Sequence, residues 1–338
     1  MRSSRIWPPS CIRKSRAVVL CALVMSVVMA AASAVGATEP IATFSIVGYD
    51  PETGDLGVAV QSKFFAVGSV VPWARAGVGA IASQAYGNTT FGPLGLGMLE
   101  EGMTVEAVMD SLLKNDPDAA QRQVGIVDAE GNSFAYTGEE CMDWAGHLTG
   151  PNFSAQGNIL VSAETVEAMA RAFKETEGIL GERLMTALEA GQAAGGDSRG
   201  VQSAAMLIVR EGGGYGGYND VYCDLRVDDH TDPIGELRRI FGMWKESALI
   251  LEGYRLCEEE EWQRAFEVGR EAVSLSPEDG EPRYHLACYY SKAGMREEAL
   301  KYLSEAVELD ESLGPRARLD PDFEPLYEDT DFLTITGE

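Results

Sequence analysis

The chain has 338 residues with 53 acidic and 27 basic side chains, a formal net charge of −26. Such a surplus repels nucleic acid and anionic lipid, which excludes a nucleic-acid-binding role. With 45% hydrophobic and 8% aromatic residues, the chain is long enough for a large core and a second unit.

Residues 1–37 have the layout of a secretory signal peptide. Arg2, Arg5, Arg13, Lys14 and Arg16 form a basic start, Ala17 to Ala32 is apolar, and small residues at Ala32/Ala34 and Val35/Ala37 suit signal peptidase. The protein is therefore expected to be exported, to the periplasm or the medium, with a membrane attachment only if this segment stays uncleaved. Cleavage takes away five positive charges and no negative ones, moving the net charge from −26 to −31.

After the leader, strands and helices alternate from Thr43 to about Val227. Residues 43–49 and 56–62 are β-like and joined by Asp50-Pro51-Glu52-Thr53-Gly54-Asp55, a turn signal that implies an antiparallel hairpin. A small apolar run at 77–85 is a third strand. Helices are expected at 93–101 and at 104–114, the latter capped by Thr104 and stopped by Asn115-Asp116-Pro117. A hairpin follows at 124–128 and 133–137, then a strand at 153–161, helices at 163–175 and 179–193, and strands at 201–210 and 219–227. The glycine-rich segment between those last strands has no GxGxxG or GxxxxGK[ST] spacing, so it is a hairpin tip and not a phosphate cradle.

The character changes after Asp232-Pro233. Residues 234–310 are helical and repeat with a period of 34: Ala265 matches Ala299 and Ala272 matches Ala306. That period, with small residues where paired helices touch, is the tetratricopeptide signature. Pro282–Asp310 is the better copy, and Gly269 breaks the pattern in the first. Arrays of this kind need about three units, so helix 234–249 and the tail 319–326 are expected to complete it. The domains are thus a leader at 1–37, a sandwich at 38–232 and a helical domain at 233–338.

Residues 43–240 resemble a bacterial and archaeal family catalogued as domain of unknown function 1028. The matching stretches are Thr43-Phe44-Ser45-Ile46-Val47, Gly57-Val58-Ala59-Val60-Gln61-Ser62-Lys63, Gln123-Val124-Gly125-Ile126-Val127-Asp128, Trp144-Ala145-Gly146-His147, Gln156-Gly157-Asn158, the Ala194–Gly200 segment and the Asp224–His230 segment. The resemblance implies an α+β fold, a four-layer αββα sandwich of the N-terminal-nucleophile hydrolase superfamily. It also implies that Thr43 stands where that superfamily's nucleophile stands.

On that reading Thr43 Oγ attacks an amide carbonyl and its own freed α-amine carries the proton. Lys63 is assigned to lowering the amine's pKa by like-charge repulsion, with Ser62 beside it at the strand end. Gln84 and Asn88 are candidate oxyanion donors, Asn88 the preferred one. Asp197 and Arg199 sit in a glycine-bordered loop, where the arginine either grips a substrate carboxylate or pins the loop internally. Asp228, Asp229 and His230 meet at the domain junction, as a cleft wall, a cation site or an interdomain hydrogen-bond network. The substrate is expected to be a small amide or peptide-like molecule, with no cofactor.

No metal site is expected, since there is no CxxC and His147, His230 and His285 lie far apart in sequence. Cys141 ranks below Thr43 as nucleophile, and the pairing of Cys141, Cys223, Cys257 and Cys288 is open. One requirement is plain: signal peptidase sites after Ala34 or Ala37 leave residues ahead of Thr43, so a second cleavage must free its amine. The competing reading is a non-catalytic binding or scaffold protein whose repeats grip a partner around Tyr284, Tyr290 and Arg283, or whose sandwich forms a homo-oligomer.

Overall fold

The computed structural model describes residues 43–337. The expected leader lies outside the described residues. Among them no helix is long and apolar enough to cross a membrane.

Two antiparallel sheets form the centre of residues 43–232. The larger has six strands in the order β10-β9-β2-β1-β8-β7. These are β1 (Thr43–Tyr49), β2 (Leu56–Ser62), β7 (Gly146–Gly150), β8 (Phe153–Asn158), β9 (Ser203–Val209) and β10 (Val221–Val227). The smaller has four strands in the order β3-β4-β5-β6, namely β3 (Pro72–Arg75), β4 (Gly79–Ala85), β5 (Arg122–Asp128) and β6 (Ser133–Thr137). Strand alternation sorts the side chains. On β1, Phe44 and Ile46 face a core they share with helices α3 (Glu164–Glu175) and α4 (Leu180–Ala193). On β4 and β5, Ile81, Val124 and Ile126 face helices α1 (Phe91–Glu100) and α2 (Val105–Lys114). The opposite faces meet between the sheets, where Val47, Val58, Val60, Ala80, Ala82 and Val127 form a separate apolar cluster.

Local chemistry sets these elements. Thr104 caps α2 through its hydroxyl, which accepts from Ala107 N at 3.3 Å. The hairpin at 50–55 is closed by Asp50 N to Asp55 O and Gly54 N to Asp50 O, with Gly54 at φ +76°, where a Cβ is costly. Strands β3 and β7 are absent from the sequence expectation, and β8 ends at Asn158 instead of running to 161.

The C-terminal region is helical: α5 (Pro233–Glu258), α6 (Trp262–Leu275), α7 (Gly280–Lys292), α8 (Arg296–Leu309), α9 (Leu313–Ala317) and α10 (Thr330–Thr336). Asp232 caps α5, accepting from Gly235 N at 3.1 Å, and Pro233 takes the first turn, where its missing N–H costs nothing. Helix α5 runs nine residues past the expected end at 249 and joins two cores. Its Ile234, Leu237 and Phe241 are buried in the sheet-and-helix core, while Leu256 and Cys257 are buried in the core of the helical region.

Candidate functional site

The space between the sheets is apolar toward one end and polar toward the other. Inward-facing positions of four strands supply the polar part: Thr43 and Ser45 from β1, Gln84 from β4, Gln123 from β5, and Ser154, Gln156 and Asn158 from β8, all buried. Most buried amides and hydroxyls are paired, and these pair across the gap. Gln123 is the hub. Its Oε1 accepts from Gln84 Nε2 at 2.8 Å and from Asn158 Nδ2 at 3.0 Å. Its Nε2 lies 2.9 Å from Thr137 Oγ1, 2.8 Å from Gly157 O and 3.1 Å from Gly146 O. Ser45 Oγ donates to Gln84 Oε1 at 2.6 Å, and Gln156 Nε2 donates to Ser45 Oγ at 2.6 Å. Room for the Gln156 side chain exists because residue 125 is glycine, where a Cβ would sit 2.1 Å from Gln156 Oε1.

Thr43 stands at the end of this array. It pairs with Ser62 on one side and Asn158 on the other. Its Oγ1 donates to Ser62 Oγ at 3.1 Å, and its carbonyl accepts from Gln84 Nε2 at 3.3 Å. Two residues beside the array hold left-handed backbone conformations: Ile159 (φ 52°), directly after Asn158, and Ala85 (φ 66°), directly after Gln84. For a β-branched residue this is an outlier, and such strain clusters at functional sites.

The loop 194–200 is fastened to the same end. Asp197, buried, accepts from Lys63 N at 2.9 Å, from Arg199 N at 2.9 Å and from Arg199 Nη2 at 3.1 Å. Asp197 therefore acts as an anchor, and the internal pin is the arrangement found for Arg199. Lys63 extends from β2 with Nζ donating to Val201 O at 3.1 Å. Gln202 N donates to Ser62 O at 3.1 Å, His230 N to Gln202 O at 2.8 Å, and Gln202 Nε2 to Asp229 Oδ1 at 3.1 Å. Asp228 joins through its carbonyl, which accepts from Ala66 N at 3.0 Å. Thr43, Ser62, Lys63, Asp197, Arg199, Asp228, Asp229 and His230 thus belong to one connected end of the large sheet, and Gln84 reaches it from the smaller sheet.

Asn88 does not take the oxyanion role assigned to it. Its Nδ2 donates to Asp116 Oδ2 at 3.0 Å, and its Oδ1 accepts from Thr90 N at 3.1 Å and Thr90 Oγ1 at 2.7 Å. Its amide oxygen builds the entry to α1, where Phe91 N also donates to Asn88 O at 3.0 Å, while its nitrogen is tied to Asp116 past the end of α2. Asp116 is held down to about 2 by Arg122, whose guanidinium forks onto both its oxygens, with help from Asn88. The amide that stands beside Thr43 is Asn158, which sequence reasoning missed as a site residue. Its signal was present: Ser154, Gln156 and Asn158 alternate polar in a strand otherwise made for burial.

Cys141 is a poor rival nucleophile, because burial pushes its thiol up and its Sγ donates to Arg122 O at 3.4 Å. All four described cysteines are free thiols. In the helical region, Tyr284 and Tyr290 are core residues and not docking groups. Tyr284 is fully buried and donates to Asp320 Oδ2 at 2.7 Å. Tyr290 stacks on Phe266 at 4.1 Å between ring centroids. Among the described residues, Cys288, Asp320 and Asp322 form one grouping with metal-ligand side chains close together. Its carboxylates are taken by Tyr284 and by Lys292, whose Nζ lies 3.2 Å from Asp322 Oδ1.

No curated protein matches the chain. The crystal structure of protein SPO2555 from Silicibacter pomeroyi, itself assigned to DUF1028, superposes with a TM-score of 0.54 at 33% sequence identity, covering 59% of this chain and 88% of that one. The match to the family of unknown function DUF1028 spans residues 43–237, from the first residue of β1 into the opening turn of α5. By that match and that likeness, the chain belongs to the DUF1028 family.

Proposed function

We propose that this protein is an exported N-terminal-threonine amidohydrolase acting on a small amide or peptide-like substrate. The layering of helix pairs outside two facing sheets is read as the αββα sandwich of N-terminal-nucleophile hydrolases. The observation that carries the reading is Thr43 at the head of an internal strand, its hydroxyl 3.1 Å from Ser62 and its carbonyl held by the buried Gln84 amide.

Cleavage of the Ala42–Thr43 bond would give Thr43 a free amine with a pKa of about 7.7–8.0, partly neutral near pH 7. Thr43 Oγ then adds to the substrate carbonyl carbon while its proton passes to the amine. Collapse of the tetrahedral intermediate breaks the C–N bond, and the amine returns the proton to the leaving nitrogen. Water repeats the sequence on the ester and regenerates Thr43. Ser62 orients the hydroxyl, and the Asn158 amide, which has one N–H on Gln123 and a second to offer, is the donor assigned to the developing oxyanion.

The test is the N-terminus and intact mass of the exported protein, followed by a screen of chromogenic amides. A chain starting at Thr43, active as wild type and inactive as Thr43→Ala with unchanged melting temperature, supports the assignment. A stable chain starting at Val35 or Thr38 overturns it. Complete burial of Thr43 favours a second reading, in which the sandwich is silent and the helices, as tetratricopeptide-like repeats, hold a protein partner. Thr43→Ala would then leave function intact.

A further inference from the structure

A groove of about 340 Å³ opens at the same end of the large sheet, lined by Lys63, Val201, Gln202, Asp229, His230 and Thr231. Its floor is tied to the candidate nucleophile: Gln202 N donates to Ser62 O, and the Ser62 hydroxyl accepts from Thr43. Lys63 follows Ser62 directly, so its backbone lies within about 10 Å of Thr43, given the spacing of residues along and across strands.

The charges in this groove differ from those elsewhere on the molecule. Most arginines and lysines of the described residues sit against a carboxylate, as Arg210 does on Asp55 at 2.6 Å and Arg238 on Glu182 at 2.6 Å. Lys63 does not. Among the described residues its ammonium donates only to the carbonyl of Val201, with donors to spare. On the same groove Asp229 has one oxygen on the Gln202 amide and the other without a partner among the described residues. His230 is held through Nδ1 by the backbone of Asp232, which leaves its Nε2 edge for a ligand. A cation and an anion therefore line one concavity without forming an ion pair with each other.

We propose that this groove is a subsite for an α-amino acid head group, its carboxylate received by Lys63 and its ammonium by Asp229. Each charge then meets its opposite, and Gln202 keeps the Asp229 carboxylate in place. A ligand seated there projects the rest of its chain past Ser62 toward Thr43. The subsite names the substrate class for the amidohydrolase reading and rests on it for what happens next, but binding itself requires no turnover.

The experiment is calorimetric titration of the full-length exported protein, as wild type and as Thr43→Ala, with L-alanine, N-acetyl-L-alanine and L-alanine amide. L-Alanine is expected to bind, and each blocked form to bind roughly tenfold or more weakly, about 1.4 kcal/mol per lost charge contact. Lys63→Met should erase the discrimination against the amide, and Asp229→Asn the discrimination against the N-acetyl form, with melting temperatures unchanged. Equal binding of the three probes overturns the proposal, as does no binding of L-alanine at about 10 mM, a level that detects even millimolar affinity. Head-group binding by wild type and Thr43→Ala alike, with no amide ever cleaved, would keep the subsite and remove the hydrolase.

Discussion

Replacing Gln123 with methionine tests the polar bridge between the sheets. The thioether fills similar space but makes none of the contacts of the amide. Gln84 Nε2 keeps other acceptors, Thr43 O at 3.3 Å and Gln156 O at 3.4 Å. Thr137 keeps His147 Nδ1 at 2.8 Å. Asn158 Nδ2 and Gly157 O, both buried, lose the partners described above. Gly157 stays paired with β1 and β7, so one orphaned buried donor, the Asn158 amide at about 1–3 kcal/mol, with the lost bonds, puts the cost near 3 kcal/mol. In a protein of this size that is a fall of roughly 4–6 °C in melting temperature. The assay is urea unfolding followed by circular dichroism, comparing midpoints at constant slope. Gln123→Glu adds a sign. Its ionised carboxylate would still accept from Gln84 and Asn158 but would turn its other oxygen toward carbonyls, so burial and repulsion raise its folded pKa. The neutral acid, with an O–H for Gly157 O, is the tolerated form, and the variant should lose stability as pH rises above about 4.3, its unfolded value. A cost for Gln123→Met below about 1 kcal/mol, within the range of an ordinary surface change, would refute the bridge. So would a Gln123→Glu variant whose deficit does not change between pH 4 and 7.

Three further outcomes follow from the same structure. Gln61 is fully buried on the helix-facing side of β2 with neither amide atom hydrogen-bonded among the described residues, so Gln61→Met should raise stability by about 1 kcal/mol, some 1–2 °C; a lower melting temperature would show that the amide has a partner in solution. Gly92 lies under Trp73, and a Cβ there would sit 2.1 Å from the ring. Gly92→Ala should therefore cost about 1–3 kcal/mol despite alanine's better helix propensity, and a stabilised variant in urea unfolding would contradict that packing. Asp116 has its pKa lowered from 3.8 to about 2 by Arg122, so it contributes stability that is fully present above pH 4 and lost as pH falls through 2. Melting curves across that range should show Asp116→Asn less stable than wild type at pH 5 and converging with it near pH 2; parallel curves would exclude the linkage.

Most of the β-sheet architecture was legible because its strands carry strong local signals. The hairpin turn at 50–55 and the apolar runs of β1, β2, β4 and β9 needed no tertiary information. β3 and β7 were hidden for different reasons. β3 is four residues long and begins with Pro72, and β7 is an exposed edge, Gly-His-Leu-Thr-Gly, with no apolar alternation. The polar array was half visible. Gln84 was picked out, but the signal that Gln123, Gln156 and Asn158 share its interior is a period-two polar pattern on separate strands, and nothing local says that those faces meet. Asn88 illustrates the opposite failure. Nearness in sequence to β4 suggested a site role, while its partner Asp116 lies 28 residues away. Tyr284 and Tyr290 sit on a helix whose exposed face cannot be guessed before the tail is placed. Phe323 and Leu326 of that tail are buried in the same core as both tyrosines.

Helix α5 gives the molecule a mechanical property. With 26 residues and a rise of 1.5 Å per residue, it is a rod of about 39 Å, clamped at one end by Phe241 and Leu237 and at the other by Leu256 and Cys257. There is no slack segment between the clamps to absorb rotation. A load applied to the helical array is therefore delivered as bending or torque to β9 and β10, the strands against which α5 is seated and whose ends lead into the Lys63 groove. Recombination has the same obstacle: a crossover at residue 232 would strip Ile234, Leu237 and Phe241 from the core in which they are buried, so a boundary between the two regions has to fall within α5, past Phe241.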